Sequence, residues 1–201
     1  CGLFSFSDMN QDVLDILAQR HAGGGLFYLP KAASAIGVYS PEVDTEAVSA
    51  TFVITTSAPD RSEDVIEPAG LDLSNYKKNP VVYYDHGPNA PGGHNPFTKP
   101  IGKSKDKQGK LHVKVKAGGV EATCFFSERS WEAMQIFELV DEEILNAASV
   151  YCLPIMAKLR TGENGRRGLH ITEWEMPEWS IVGVGDNPEA VVHVAKIATE
   201  F

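Results

Sequence analysis

Short runs of hydrophobic and β-branched residues, separated by polar turns, recur along most of this chain. The stretch from Val48 to Thr56 is rich in valine, isoleucine and threonine, which is typical of a strand. An apolar run from Val81 to Tyr84 predicts a second strand. Residues Ile101 to Lys105 and Lys110 to Lys116 predict a β-hairpin, with Gly109 supplying the positive φ of its turn.

The second half of the chain continues the same pattern. A strand is expected from Ala147 to Leu153, with Ser149, Tyr151 and Leu153 on one face and Val150 and Cys152 on the other. Alternation from His170 to Met176 predicts a further strand, and the run from Trp179 to Val184 predicts the last one.

Two segments instead have helical periodicity. Residues 8–20 place apolar side chains at spacings near 3.6, with acids early and an arginine late, which indicates an amphipathic helix. A second helix is predicted from Trp131 to about Leu145, with Ser130 as its N-cap and Asn146 as its C-cap.

Many short strands with few helices predict a mainly β, α+β fold, in which an antiparallel or mixed β-barrel is flanked by helices. Three consecutive glycines, at 23–25, follow the first helix, and little periodicity is seen from there to Val43. We therefore expect residues 1–45 to form an N-terminal arm that docks on a partner or on the barrel. Residues 46–201 are expected to form the β-barrel domain.

Composition narrows the classes of function. The chain has 201 residues and a net charge of −9, which disfavours a role in binding nucleic acid phosphates. No run approaches the roughly 18 apolar residues of a membrane span. Cys1, Cys124 and Cys152 are widely spaced without a metal-binding pattern, and no secretory signal is recognisable, so a reducing compartment and no metal or other cofactor are expected.

Three residues that lie in or beside predicted strands carry candidate chemistry. His86 follows the run Val81 to Tyr84, Ser149 lies inside its strand, and Glu178 immediately precedes Trp179. A hydroxyl, an imidazole and a carboxylate are the groups of a serine hydrolase, with Ser149 as nucleophile, His86 as general base and acid, and Glu178 as the orienting acid. Glu173 and Glu175 are alternative acids, and Asp85 is a weaker one because it would point away from His86 in a continuing strand.

The surroundings of these residues resemble the prohead (capsid maturation) serine proteases of tailed bacteriophages, which are distant relatives of the herpesvirus assemblins. The segment from Ser62 to Pro68 leads to the strand ending at His86, and Pro100-Ile101-Gly102 follows. A helix then precedes the serine strand, and the glutamate strand runs into Asn187-Pro188-Glu189-Ala190. The resemblance covers roughly residues 50–192.

This resemblance implies an assemblin-like barrel and an endopeptidase that cleaves the phage scaffold protein, segments of the major capsid protein and its own chain. It also implies self-association into dimers or larger assemblies, and a location in the host cytoplasm inside the procapsid. The acid of the phage enzymes falls at Glu178, where the herpesvirus relatives have a second histidine.

The oxyanion-stabilising groups are not carried over by the resemblance. The herpesvirus relatives have arginines in the corresponding loop, whereas this chain has Asp186 and Asn187 there. Gly183 and Gly185 are candidate backbone donors because glycine permits close approach of main chain to substrate.

Other interpretations of the same residues remain open. Cys152 is an alternative nucleophile or a buried structural residue beside the cleft. His94 lines the substrate cleft, lies in solvent, or joins Asp85 and His86 in a metal site, although the Gly- and Pro-rich loop between the histidines fixes no geometry.

Two rival functions follow from the same sequence. The chain is alternatively a non-catalytic assembly module that binds capsid or scaffold protein, or a small-molecule esterase or amidase. The latter lacks the Gly-x-Ser-x-Gly motif of the commonest hydrolase fold.

Overall fold

The structure, a computed structural model, describes residues 11–22, 42–60, 62–89, 99–162 and 165–184. Strands dominate this part of the chain, and two α-helices accompany them, which agrees with the α+β, barrel-like class expected from the sequence. The helices are α1 (Gln11–Ala22) and α2 (Trp131–Asp141).

The larger sheet of the described residues contains eight strands and curls into a half-barrel. Its strands are β1 (Glu42–Asp44), β2 (Ser49–Thr56), β5 (Val81–Tyr84), β6 (Gly102–Lys103), β7 (Val113–Lys116), β8 (Gly119–Phe126), β9 (Ala147–Val150) and β12 (Trp179–Val182). They are arranged in the order β1-β2-β8-β6-β5-β12-β9, with β7 also pairing with β8.

A smaller, four-stranded sheet in the described part of the chain is built around one long hairpin. Its strands are β3 (Val65–Ile66), β4 (Leu71–Asp72), β10 (Leu153–Thr161) and β11 (Arg167–Glu175). β10 and β11 pair antiparallel, and β3 and β4 add to β11 in parallel. The chain passes from the larger sheet to the smaller one at Tyr151 and Cys152, directly after β9.

One continuous hydrophobic core links the two sheets. Its largest fully buried side chains include Trp174 from β11, Trp179 from β12 and Phe52 from β2. Phe52 and Trp179 pack with ring centroids 5.7 Å apart, so β2 and β12 face each other across the core. Val13 of α1 is buried in the same core, and β1 pairs with β2, so both are packed against the domain predicted to begin at residue 46.

The sequence places most of these elements correctly but misplaces several boundaries. The N-cap at Ser130 is confirmed, since its Oγ accepts a hydrogen bond from the Ala133 N–H at 3.2 Å. The prediction of a helix to Leu145 with Asn146 as C-cap is wrong, because α2 ends at Asp141 and Glu143 adopts a positive φ of 58°. Asn146 lies directly before β9.

The predicted hairpin is only partly formed. The turn is present, with Gly109 at a φ of +85° and an isolated bridge between Lys105 and Leu111. One further hydrogen bond, from the His112 N–H to the Ser104 carbonyl at 2.8 Å, continues this pairing. The two arms then separate, because β6 pairs with β5 and β8 whereas β7 pairs with β8. The strand β8, which the sequence analysis did not identify, is therefore the partner that both arms share.

Candidate active site

The strand that precedes His86 ends in an unusual turn. β5 pairs in parallel with β12, and the Asp85 N–H continues this pairing by donating to the Ile181 carbonyl at 2.9 Å. Asp85, His86 and Gly87 then adopt positive φ values of 46°, 57° and 49°. Two of these residues are not glycine, and the left-handed region is unfavourable for them. The turn carries His86 into the interior, where it is 1% exposed, while Asp85 stays exposed.

The buried imidazole contacts one of the candidate acids directly. His86 Nδ1 lies 2.8 Å from Glu178 Oε1, and Glu178 is only 2% exposed. An ionised carboxylate can only accept hydrogen bonds, so Nδ1 carries the hydrogen of this contact. In a neutral ring this arrangement leaves Nε2 as the basic nitrogen, which is the tautomer that a general base requires.

The alternative acids lie elsewhere. Glu173 is exposed on β11, and Glu175 Oε1 accepts a hydrogen bond from Asn75 Nδ2 at 3.0 Å near the surface. Asp85 adjoins His86 in sequence but faces solvent. Of the carboxylates considered, Glu178 is the one that the structure brings to the imidazole.

A serine that the sequence analysis passed over supports this pair. Ser180 is fully buried on β12, two residues after Glu178. Its Oγ donates to Glu178 Oε2 at 2.8 Å and accepts from the His86 backbone N–H at 3.1 Å. One hydroxyl thus connects the carboxylate with the backbone of the strained turn.

Ser149 lies beside these groups on the neighbouring strand. β9 and β12 pair antiparallel, with Ser149 directly opposite Ser180. Side chains of directly opposite residues lie on the same face of a sheet, with Cβ atoms about 4.5–5.5 Å apart. Ser149, which is 5% exposed, therefore faces the same side as Ser180 and its two hydrogen-bonding partners.

The ladder between β9 and β12 extends by one further pair. The Tyr151 N–H donates to the Glu178 carbonyl at 3.0 Å, so Tyr151 stands opposite Glu178 as Ser149 stands opposite Ser180. The pKa of Tyr151 is raised to about 12, mainly by burial and to a lesser extent by the charges of Glu178 and Cys152. Burial and Glu178 also raise the pKa of Tyr83, which precedes the turn on β5.

The remaining predicted site residues are less informative. Cys152 is buried at the crossing between the sheets, 2% exposed. Gly183 is exposed just beyond β12, and a Cβ built there would meet nothing within 4 Å, so neither crowding nor a positive φ requires glycine at this position. His94 and Gly185 lie outside the described residues, and with His94 so does the metal site considered with Asp85 and His86.

No group of three or more His, Cys, Asp or Glu side chains within the described segments is arranged to hold a metal ion. Neither of the two described helices is long and apolar enough to cross a bilayer.

Comparison with known proteins gives the site no further context. No protein-family model, no curated protein and no solved structure matches this chain.

Proposed function

We propose that this chain is a serine endopeptidase in which Ser149, His86 and Glu178 form the catalytic triad. The observation that supports it is the buried contact of 2.8 Å between His86 Nδ1 and Glu178 Oε1, with Ser149 on the same face of the adjoining strand. A buried imidazole bonded to a carboxylate beside a serine has the chemistry that acyl transfer needs.

The mechanism follows from the charges that develop in the reaction. Ser149 Oγ attacks the substrate carbonyl while its proton moves to His86 Nε2, which makes the ring positive. Glu178 stabilises this cation at Nδ1, and Ser180 keeps the carboxylate in place through its second oxygen. The imidazolium then returns the proton to the leaving amine, and water releases the acyl group from Ser149 in the second half of the cycle.

The biological setting belongs to the same proposal. The order of His86, Ser149 and Glu178, and the sequences around them, resemble the prohead proteases of tailed phages. A curled, half-barrel sheet is the kind of architecture expected of an assemblin-like domain. On this basis we assign scaffold protein, major capsid protein segments and the chain itself as substrates, with self-association inside the procapsid in the host cytoplasm.

Labelling with a fluorophosphonate tests the nucleophile. We expect stoichiometric modification of the folded protein at Ser149, located by mass spectrometry of peptides. Ser149→Ala should abolish labelling, self-cleavage and scaffold digestion, and it should leave the melting temperature nearly unchanged because only one small polar atom is removed.

Ser49→Ala provides a matched control. Ser49 is also a strand serine with 5% exposure, but it lies on β2, which pairs with neither β5 nor β12. This variant should label like the unmodified protein. If folded protein fails to label at all, the chain is instead a non-catalytic assembly module that binds capsid or scaffold protein.

A further inference from the structure

Tyr151 has a hydroxyl group that the proposed triad does not use. The residue is 5% exposed, and its Oη is buried without a hydrogen-bond partner among the residues that the structure describes. A buried polar group of this kind destabilises the folded state when it is left unsatisfied. Phenylalanine would fill the same space without that cost, so the hydroxyl calls for an explanation.

The backbone pairing places Tyr151 directly beside the residues of the candidate site, and the charge of Glu178 acts on its phenol. Tyr151 is two residues after Ser149, and its backbone N–H continues the ladder to Glu178. Residues two apart in an extended chain share a face. Glu178 and Ser180 also share a face, as their side-chain hydrogen bond requires. The four side chains therefore form a two-by-two array, with Ser149 opposite Ser180 and Tyr151 opposite Glu178.

The neutral phenol of Tyr151 can act as a hydrogen-bond donor at any pH at which the protein would work. Burial and the neighbouring Glu178 carboxylate raise its pKa to about 12, so it stays neutral and protonated. A neutral phenol can donate to an oxygen that gains negative charge, whereas a phenolate beside Glu178 could only repel it.

We propose that Tyr151 donates its hydroxyl hydrogen bond to the substrate carbonyl oxygen that becomes the oxyanion. This inference rests on the proposed peptidase function and adds a catalytic residue to it. When Ser149 Oγ bonds to the carbonyl carbon, the π electron pair moves to the carbonyl oxygen and the serine proton moves to His86 Nε2. Tyr151 keeps its own proton throughout. A fixed donor in a buried site stabilises such an oxyanion without reorganisation during the reaction.

Tyr151→Phe tests this role because it deletes one oxygen and keeps the ring. We expect the rate of fluorophosphonate labelling at Ser149 to fall about 100-fold, the size seen when one oxyanion donor is removed. With a p-nitrophenyl ester as substrate, the loss should appear in kcat, with KM little changed. The melting temperature should stay the same or rise, because the hydroxyl has no partner to lose.

Tyr76→Phe is the matched control. Tyr76 is also a buried tyrosine, but its Oη donates to Ser104 Oγ at 3.0 Å, so the same deletion removes a formed hydrogen bond. This variant should lower the melting temperature and leave labelling of folded protein unchanged. The Tyr151 assignment is overturned if Tyr151→Phe labels at the original rate, or if its activity falls only in proportion to a loss of folded protein. Absence of labelling in the unmodified protein would instead contradict the proposed function itself.

Discussion

The Ser180 hydroxyl joins the carboxylate of Glu178 to the backbone of His86. It donates to Glu178 and accepts from the His86 N–H, and it does so from a fully buried position on β12. A positive φ at His86 is unfavourable, so the hydrogen bond to its N–H helps to keep the turn in the conformation that presents the ring. Ser180 is therefore a positioning residue in the proposed mechanism.

Ser180→Ala should lower kcat and leave KM nearly unchanged. Loss of the donor removes the serine hydrogen bond at Glu178 Oε2, so the carboxylate and the imidazole that it contacts are held less firmly. We expect kcat to fall about 10-fold or more because the ring is less well fixed. Unfolding in denaturant should show a loss of about 1–3 kcal/mol.

Ser127→Ala serves as the control for this experiment, since Ser127 lies outside the site, directly after β8. Its kcat and KM should match those of the unmodified protein. Ser180→Ala activity that falls only in proportion to a loss of folded protein would show that Ser180 supports folding alone.

The types of the site residues could be predicted from the sequence, but their contacts could not. Alternation along a strand assigns a residue to a face and says nothing about which other strand lies opposite. From the sequence, Glu173 and Glu175 therefore stay open as alternatives to Glu178. The parallel pairing of β5 with β12 is what brings His86 to Glu178. Ser180 could have been predicted from its spacing, because it lies two residues after Glu178 beside a predicted strand and residues two apart share a face.

The turn from Asp85 to Gly87, directly after β5, determines the position of the His86 side chain. Gly87 has a φ of +49°, and a Cβ built on it would lie 2.4 Å from the Tyr83 ring. Glycine is thus required here twice, for its backbone conformation and for the close approach of the ring.

Gly87→Ala should displace His86 and reduce activity severely. The added methyl group must push either the Tyr83 ring or the turn itself, and the alanine also resists the positive φ, for a combined cost of about 1–3 kcal/mol. Chemical denaturation measures the stability, and fluorophosphonate labelling measures the site.

Gly109→Ala separates the cost of the positive φ from the displacement of the site. Gly109 also has a positive φ, at +85°, but a Cβ there would meet nothing within 4 Å. This variant should lose a comparable part of its stability through backbone strain and keep full labelling. Equal labelling by the two variants would show that the position of the turn does not control the site.

Elements with strong local signals were predicted better than those defined by their partners. β5 matches its predicted bounds because an apolar run between Pro80 and a polar loop is unambiguous. The helix α2 ends earlier than predicted because Glu143 leaves the helical conformation. No glycine or proline stands at this position in the sequence to indicate the end of the helix. β8 was missed although its burial alternates regularly, because the small Ala122 and Cys124 make its buried side only weakly hydrophobic, and the large apolar Phe125 lies on the other side.

At the scale of the molecule, two buried tyrosines link stability to alkaline pH. The pKa of Tyr151 is raised from 10.0 to about 12, and burial raises that of Tyr76 still further. A group with a raised pKa in the folded state contributes stability that is complete below its unfolded pKa and is lost as pH rises towards its folded value. Stability should therefore decline from about pH 10 upwards.

Melting temperatures measured by circular dichroism between pH 8 and 12 test this expectation. The unmodified protein should show a steep fall above about pH 10, the ordinary pKa of tyrosine. Tyr151→Phe should have a shallower fall between pH 10 and about 12, because one tyrosine with a raised pKa no longer titrates. An identical alkaline slope in the two proteins would contradict the assigned shift.

The β-rich class of the molecule was accessible from the sequence, whereas the order of its strands was not. β5 and β12 are neighbours although almost a hundred residues separate them, and the pairing is parallel. Local patterns carry no information about such contacts, which depend on how the whole core closes around residues such as Trp174 and Trp179.

Four polar side chains in and directly beside β9 and β12, namely Ser149, Tyr151, Glu178 and Ser180, also bear on the register in which the two strands pair. All four residues of β9 are buried, and Ala147, Ala148 and Val150 differ little in size or polarity, so hydrophobicity alone barely distinguishes one alignment from the next. A slip of one residue would exchange the faces of the strand and bury Ser149 and Tyr151 among apolar neighbours. The groups assigned to chemistry therefore also select the native alignment, and a substitution that makes this face apolar would remove the penalty against the slipped one.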